Sequence, residues 1–444
     1  MEVVEQRSPV HQLVNALWRA LAALGSQAET TSIEHWGFAI HSALSAPGRE
    51  FHNHDHVIAL TKEGDPLEVV AALYHDAVYI QVDQGPPRSM RAEIEQVLTV
   101  TDDGWRVLAS AADRDGTADV LALFGRRVGD LVTPTTGLNE FASALVAVIH
   151  LDKALDRHQR IAVAACIEQT IPFREHPGDQ LRERLSALGL RGGELETTLK
   201  RAVRLGNRDV MNFADNDAAR FLDNTWKLLP ESNPALHSPM VYTVRDYRVA
   251  LQKMEAFLAV LPAERVFHSW GDEPKPETHA RRVARTTGNI QLAVRYLRAK
   301  LYSIALVEAL AETTGGGVPL DYFMGGGKTK VQLKRLEAFL PPIDAAARDV
   351  DPQVQRLLAE GRASESTFDT NPSPVGAFLH EAVGEAAVMK GVEMAKRWWG
   401  GAGDAATFLR AQPAKPAAAI ARAAANIIET RRDRLFALAE QLGG

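Results

Sequence analysis

The stretch R-E-F-H-N-H-D-H, Arg49 to His56, followed by V-V-A-A-L-Y-H-D-A-V-Y, Val69 to Tyr79, decides how this chain is read. His52 and His56 stand four residues apart, a spacing that puts both on one face of a helix. His75-Asp76 interrupts a helix that is otherwise apolar. An imidazole beside a carboxylate is costly to bury there unless something compensates both, and a single metal ion does. Imidazole and carboxylate without thiolate suit a divalent Mn, Fe, Zn, Ni or Mg ion. An isolated His-Asp pair is more simply a buried hydrogen bond that orders its helix. The F-H-N-x-x-H element just upstream turns the reading toward a metal held by His56, His75 and Asp76. His54-Asp55 is a second such pair, but it lacks the apolar frame.

Outward from this segment, helical periodicity dominates. It runs from Pro9 to Leu24 through Leu13, Leu17 and Leu21, then through Phe141 to Leu155, Ile161 to Ile171, Val249 to Leu261 and Ile290 to Leu310. Runs of β-branched residues at period two are scarce, so an all-α protein is expected. Of 444 residues, 46% are apolar and 24% charged, the composition of a globular chain with a real core. A formal net charge of -6 makes no case for nucleic acid as the main partner. One cysteine, Cys166, excludes disulfides within the chain and thiolate zinc clusters. No apolar run approaches the roughly 18 residues of a membrane span. The start M-E-V-V-E-Q-R-S has no signal-peptide pattern. A cytoplasmic protein is expected, with homo-oligomerisation left open. Gly325-Gly326-Gly327-Lys328-Thr329 has the end of a phosphate-binding loop, but the required earlier glycine is Tyr322 and no strand pattern precedes it.

The two histidine segments resemble the predicted metal-dependent phosphohydrolases of the HD superfamily, whose pattern runs R-x-Y-H-N-x-x-H and then W-F-H-D-A-V-Y. Asn139-Glu140 with Ser143-Ala144 resembles that family's N-E-x-x-S-A, and Asn207-Arg208-Asp209-Val210 its aspartate-bearing segment. The resemblance covers about Trp36 to Leu310, with extra sequence at about Ile80 to Leu138 and Ile171 to Arg204. It implies an HD-domain-like helical bundle over residues 1–310. Residues 311–444 have no counterpart in that family; their apolar residues, such as Phe378, Leu379, Val383 and Phe408, need a partner surface, so a helical C-terminal extension packed on the bundle is expected. The resemblance also implies Asp209 as fourth metal ligand, and hydrolysis of a phosphoester of a nucleotide or small phosphorylated metabolite by a water the metal activates. F-H-N-x-x-H also resembles the Y-H-N-x-x-H of cyclic-nucleotide phosphodiesterases. That likeness implies His56 as ligand and His52 as a general acid off the metal, with Asp76 orienting the water. Arg49 and Asn53 are then suited to hold a phosphate oxygen and orient an imidazole.

One departure matters. Where the family's helix near Ile167 ends in T-K-H-H, this chain reads Thr170-Ile171-Pro172-Phe173. Glu168, inside A-V-A-A-C-I-E-Q-T-I, either turns outward or aims at the pocket, and Glu140 is similarly placed; both are carried as candidate catalytic carboxylates. Two alternatives follow. HD-type di-iron oxygenases use the order H, H-D, H, H, D, which His56, His75-Asp76, His150, His176 and Asp209 supply. A regulatory or scaffold protein with a degenerate site is the other. Asp152, Asp215 and Asp217 are the competing choices for the last aspartate.

Overall fold

The structure, a computed structural model, describes residues 8–238, 241–325 and 334–443. Residues 1–7 and most of the glycine-rich run, 326–329, lie outside the described residues. Among the described residues there are twenty α-helices and three short strands, an all-α architecture. No described helix is long and apolar enough to cross a membrane. The chain divides into two compact units. The first comprises Met1–Ala214 and Pro262–Thr287, the second Asp215–Leu261 and Gly288–Gly444.

In the first unit, α1 (Pro9–Ala23) packs on α2 (Thr30–Leu44), and Leu13, Leu17 and Leu21 share a buried core with Ile33, Ile40 and Leu44. Next come α3 (His54–Leu60) and α4 (Pro66–Tyr74). Asp65 caps α4 by accepting the Leu67 and Glu68 amides, with Pro66 in the first helical position. The centre is α8 (Leu138–His150) and α9 (Arg157–Gln169). Helix α9 is buried continuously from Ile161 to Gln169 because it is apolar and small-residued nearly all round. It packs on α4, α8 and α11 (Gly192–Asp209). Gly206 permits the last of these: a Cβ there would lie 2.7 Å from the Gln169 carbonyl oxygen.

The stretch from Ile80 to Leu138 holds what periodicity missed. Between α5 (Ile80–Asp83), α6 (Arg91–Glu95) and α7 (Asp115–Leu123), β1 (Leu98–Thr101) and β2 (Gly104–Val107) form a hairpin, and β3 (Leu131–Val132) adds to β2. The Asp-Asp-Gly turn makes it possible, since Gly104 takes φ +141°. Helix α10 (Pro177–Ala187) precedes α11.

The second unit holds α12 (Ala218–Ser232), α13 (Val244–Val260), the distal part of the 39-residue α14 (Pro276–Thr314), α15 (Leu320–Met324), α16 (Pro352–Glu360), α17 (Pro374–Trp399), α18 (Ala405–Arg410), α19 (Ala414–Ala425) and α20 (Arg432–Gly443). Trp226, Tyr247, Tyr296 and Tyr302 are its largest fully buried side chains. The boundary drawn from sequence at residue 310 therefore differs from the observed units. It falls inside α14, and residues 311–444 share one unit with 215–261 and 288–310.

Candidate metal centre

Asn53 sets the position of His56. Its backbone is extended, and its side-chain oxygen accepts the Asp55 and His56 amides at 2.9 and 3.4 Å, so α3 starts at His54. His52 therefore stands in the bend ahead of the cap, not on the helix with His56 as spacing predicts. Its ring nevertheless lies 5.9 Å from that of His56, and 4.8 Å from and perpendicular to that of Tyr79.

Helix α4 likewise ends sooner than its apolar run predicts. His75 is its C-cap, and Asp76 lies in the turn beyond. The chain is drawn off the helical path by α8: the Val78 amide donates to Ser143 Oγ at 3.0 Å and the Ile80 amide to Asn139 Oδ1 at 3.1 Å. Asp209 ends α11, which charges clamp to α4. Glu68, fully buried on α4, pairs with Arg204 and with Arg208 (2.9 Å), while Asp65 pairs with Arg201. Sequence reasoning passed over this clamp, although a glutamate inside P-L-E-V-V-A-A-L is the same kind of signal as His75-Asp76.

These elements bring His56, His75, Asp76 and Asp209 together, one ligand atom from each lying within 4.8 Å of all the others. His56 Nε2 is 2.9 Å from Asp209 Oδ1 and 3.6 Å from Asp76 Oδ2. His75 Nε2 is 2.9 Å from Asp76 Oδ2 and 3.4 Å from Asp209 Oδ1. His75 Nδ1 lies 2.8 Å from the Ala72 carbonyl, which can only accept, so Nδ1 carries a proton and Nε2 is the nitrogen that faces the group, with its lone pair available when the ring is neutral. His75 Nε2 and Asp76 Oδ2 are both buried and face each other at 2.9 Å, an ion pair when His75 is protonated and two acceptors when it is neutral. Two such acceptors facing each other repel unless a cation, a proton or a metal, stands between them.

The electrostatics report the same strain. Burial pulls the His75 imidazole down, but the Asp76 and Asp209 carboxylates together outweigh it and hold the group well above the ordinary histidine value. Burial pushes Asp76 up, and His75, His52 and His56 reverse this to hold it well below the usual carboxylate range. Asp209 is brought to about 2 by His56 and His75 against the same burial. Glu140, in the first turn of α8, goes the other way. Burial, reinforced by the charges of Asp76 and Asp209, raises it to about 7.

Other expected residues fall elsewhere. Arg49 is buried, with its guanidinium bidentate on Asp83 (2.9 and 2.6 Å) and donating to the His52 and Asp76 carbonyls. Protein acceptors thus occupy the nitrogens expected to hold a phosphate oxygen, and Arg49 instead ties the His52 bend to the Asp76 turn. Asn53 acts as the α3 cap, its amide donating to the Glu50 carbonyl at 2.8 Å. Glu168 neither turns outward nor joins the group. It is 1% exposed and held by Arg174 (2.6 Å) and Arg184 (3.3 Å). His150 stacks on Trp36 and lies 3.1 Å from the Tyr74 hydroxyl. His176 is exposed, in the left-handed region at φ +46° ahead of α10. Neither is in the His/Asp group. Asp152 is on the surface beside Arg160, and Asp215 and Asp217 belong to the second unit, where Asp217 caps α12.

Comparison with family models, with curated proteins and with solved structures found no match. Fold and site by themselves define the class: an all-α protein with a group of two histidines and two aspartates that could hold a metal ion.

Proposed function

We propose that His56, His75, Asp76 and Asp209 hold one divalent metal ion and that the protein hydrolyses a phosphoester of a nucleotide or other small phosphorylated metabolite, as the resemblance to HD-superfamily phosphohydrolases implies. The observation that carries the metal is the convergence of His56, His75, Asp76 and Asp209, one donor atom of each lying within 4.8 Å of all the others. Two neutral imidazoles and two carboxylates sum to the charge that a divalent ion cancels. When bound, such an ion is a Lewis acid that acidifies water and polarises a phosphoryl oxygen.

The chain's own residues supply the rest. Ala72 fixes the His75 tautomer, and the Ser143 and Asn139 contacts hold the Asp76 turn in place. His52, its ring 5.9 Å from that of His56 and outside the group, is the candidate proton donor to a leaving alkoxide. Glu140, raised to about 7 in the metal-free protein chiefly by burial, is a further carboxyl near enough to Asp76 and Asp209 to feel their charge.

The test is metal analysis of full-length protein purified without chelator, together with Asp209→Ala and Asp152→Ala. One ion per chain, lost in Asp209→Ala and kept in Asp152→Ala, with metal-dependent release of phosphate or nitrophenolate from phosphoester probes, is the expected result. Two irons per chain would favour the oxygenase reading. No metal, with no rise in Tm on adding Mn, Zn or Mg, would sink the proposal and leave a scaffold.

A further inference from the structure

Two buried cations in the second unit share a single carboxylate. Lys300, on α14, is 5% exposed, and the Arg362 side chain is fully buried. Lys300 Nζ lies 2.8 Å from Asp369 Oδ2, and Arg362 Nη1 lies 3.8 Å from the same oxygen. Both cations also sit over the Trp226 ring, at 4.7 and 4.4 Å from its centroid. Asp369 Oδ2 further accepts the Trp226 indole (2.9 Å) and the Tyr247 hydroxyl (2.7 Å), and Oδ1 accepts the Thr370 amide (2.9 Å), so the carboxylate is saturated. Among the described residues Asp369 is the only hydrogen-bond acceptor of Lys300, which leaves two of its three N–H groups without one. Lys300 and Arg362 together carry one positive charge more than Asp369 supplies, and Asp321 is the further carboxylate bordering the same cavity.

Lys300 forms part of the wall of a cavity of about 260 Å³. The surrounding wall is mostly apolar and aromatic, with Tyr242, Tyr247, Ile304, Phe368 and Val375. Val375 and Gly376 belong to the first turn of the long helix α17, where backbone amides have no carbonyl ahead of them and the end carries partial positive charge. Arg335 and Asp321 also border the cavity, and Arg335 is engaged by Glu337 at 2.8 Å. An apolar pocket with a few convergent polar groups is the usual form of a small-molecule site.

We propose that this cavity binds a small monoanion with an apolar body, an aryl or alkyl carboxylate, whose carboxylate takes the open N–H groups of Lys300 while its hydrocarbon part lies against Tyr242, Phe368 and Ile304. The site belongs wholly to the second unit and does not rest on the metal reading.

The test uses the full-length chain and three matched probes: phenylacetate, 2-phenylethylamine and 2-phenylethanol, each titrated by calorimetry and by thermal shift. Phenylacetate alone is expected to bind saturably and raise Tm. Lys300→Met keeps the side-chain bulk without the charge and is expected to weaken binding at least tenfold. Because that change strands Asp369, Ile304→Trp is the second variant: it fills the cavity with the charged cluster intact, and is expected to abolish binding. Absence of saturable phenylacetate binding, equal binding of all three probes or preference for the amine would each overturn the proposal. So would phenylacetate binding that survives Ile304→Trp, including binding removed only by chelator, which would put the anion on the metal.

Discussion

His52 and Glu140 are the two residues whose chemistry at the candidate centre is separable from ligation. His52 lies beside His56 and is absent from the metal group, which suits proton donation. His52→Asn is expected to keep the metal and the Tm while lowering turnover by about 10²-fold or more, the scale of a lost general acid. The loss should shrink with a nitrophenolate leaving group, which needs no proton. Equal losses for good and poor leaving groups, read by steady-state rates, would count against donation. Glu140 makes a prediction about pH. Its folded value of about 7 lies above its ordinary 4.5, so folding favours the protonated form. Its stabilising contribution is present below 4.5 and is lost as pH rises through 7. Glu140→Gln removes that dependence. In chelator-treated protein the Tm of Glu140→Gln relative to the parent should therefore rise between pH 5 and pH 8, measured by calorimetry. A constant difference across that range would mean the carboxyl ionises normally.

At the scale of elements, the centre depends on where three helices stop or start. Asn53 starts α3, α8 draws the chain out of α4 after His75, and α11 ends on Asp209. Asn53→Ala leaves the Asp55 and His56 amides without their cap, at a cost of about 1 kcal/mol. It should also weaken metal affinity, because His56 is the second capped residue. Asn53→Ser restores a capping oxygen and should recover both. Urea midpoints and competition with a chromogenic chelator check this. Stability recovered without affinity would show that Asn53 does more than cap.

For the whole molecule, the unit boundaries bear on which pieces stand alone. Residues 215–310 depend on residues beyond 310 within the second unit. Trp226, Tyr247 and Lys300 bond to Asp369, Tyr242 donates to the Phe368 carbonyl, and Arg295 pairs with Asp351 and Glu385. Truncation after residue 310 removes all of these partners and bares the core around Trp226 and Tyr247. The truncated chain is expected to aggregate or to lose a cooperative melting transition, as read by size-exclusion chromatography and calorimetry. A soluble 1–310 with full metal content would show that the extension is dispensable.

The amino-acid sequence alone established the all-α class, because 3.6-residue periodicity is a local property that survives without knowledge of packing. It also marked His56, His75 and Asp76, since a polar pair inside an apolar run stands out wherever it lies. It singled out Asp209 among several aspartates only through resemblance, because a carboxylate 133 residues beyond Asp76 is brought near by helix packing, not by spacing. Tertiary structure decided the rest. Glu168 and Glu68 read alike in sequence, as carboxylates in apolar helices, and only the positions of Arg174, Arg184, Arg204 and Arg208 show that both are charge-paired structural groups. His150 and His176 match an ordered ligand pattern, yet one is turned to Tyr74 and the other to the surface. The start at His54 was set by its neighbour Asn53, a local cap that outweighs the four-residue spacing of His52 and His56. The stop at His75 was hidden, because Ser143 and Asn139 on α8 hold the chain beyond it, and such distant partners have no periodic signature.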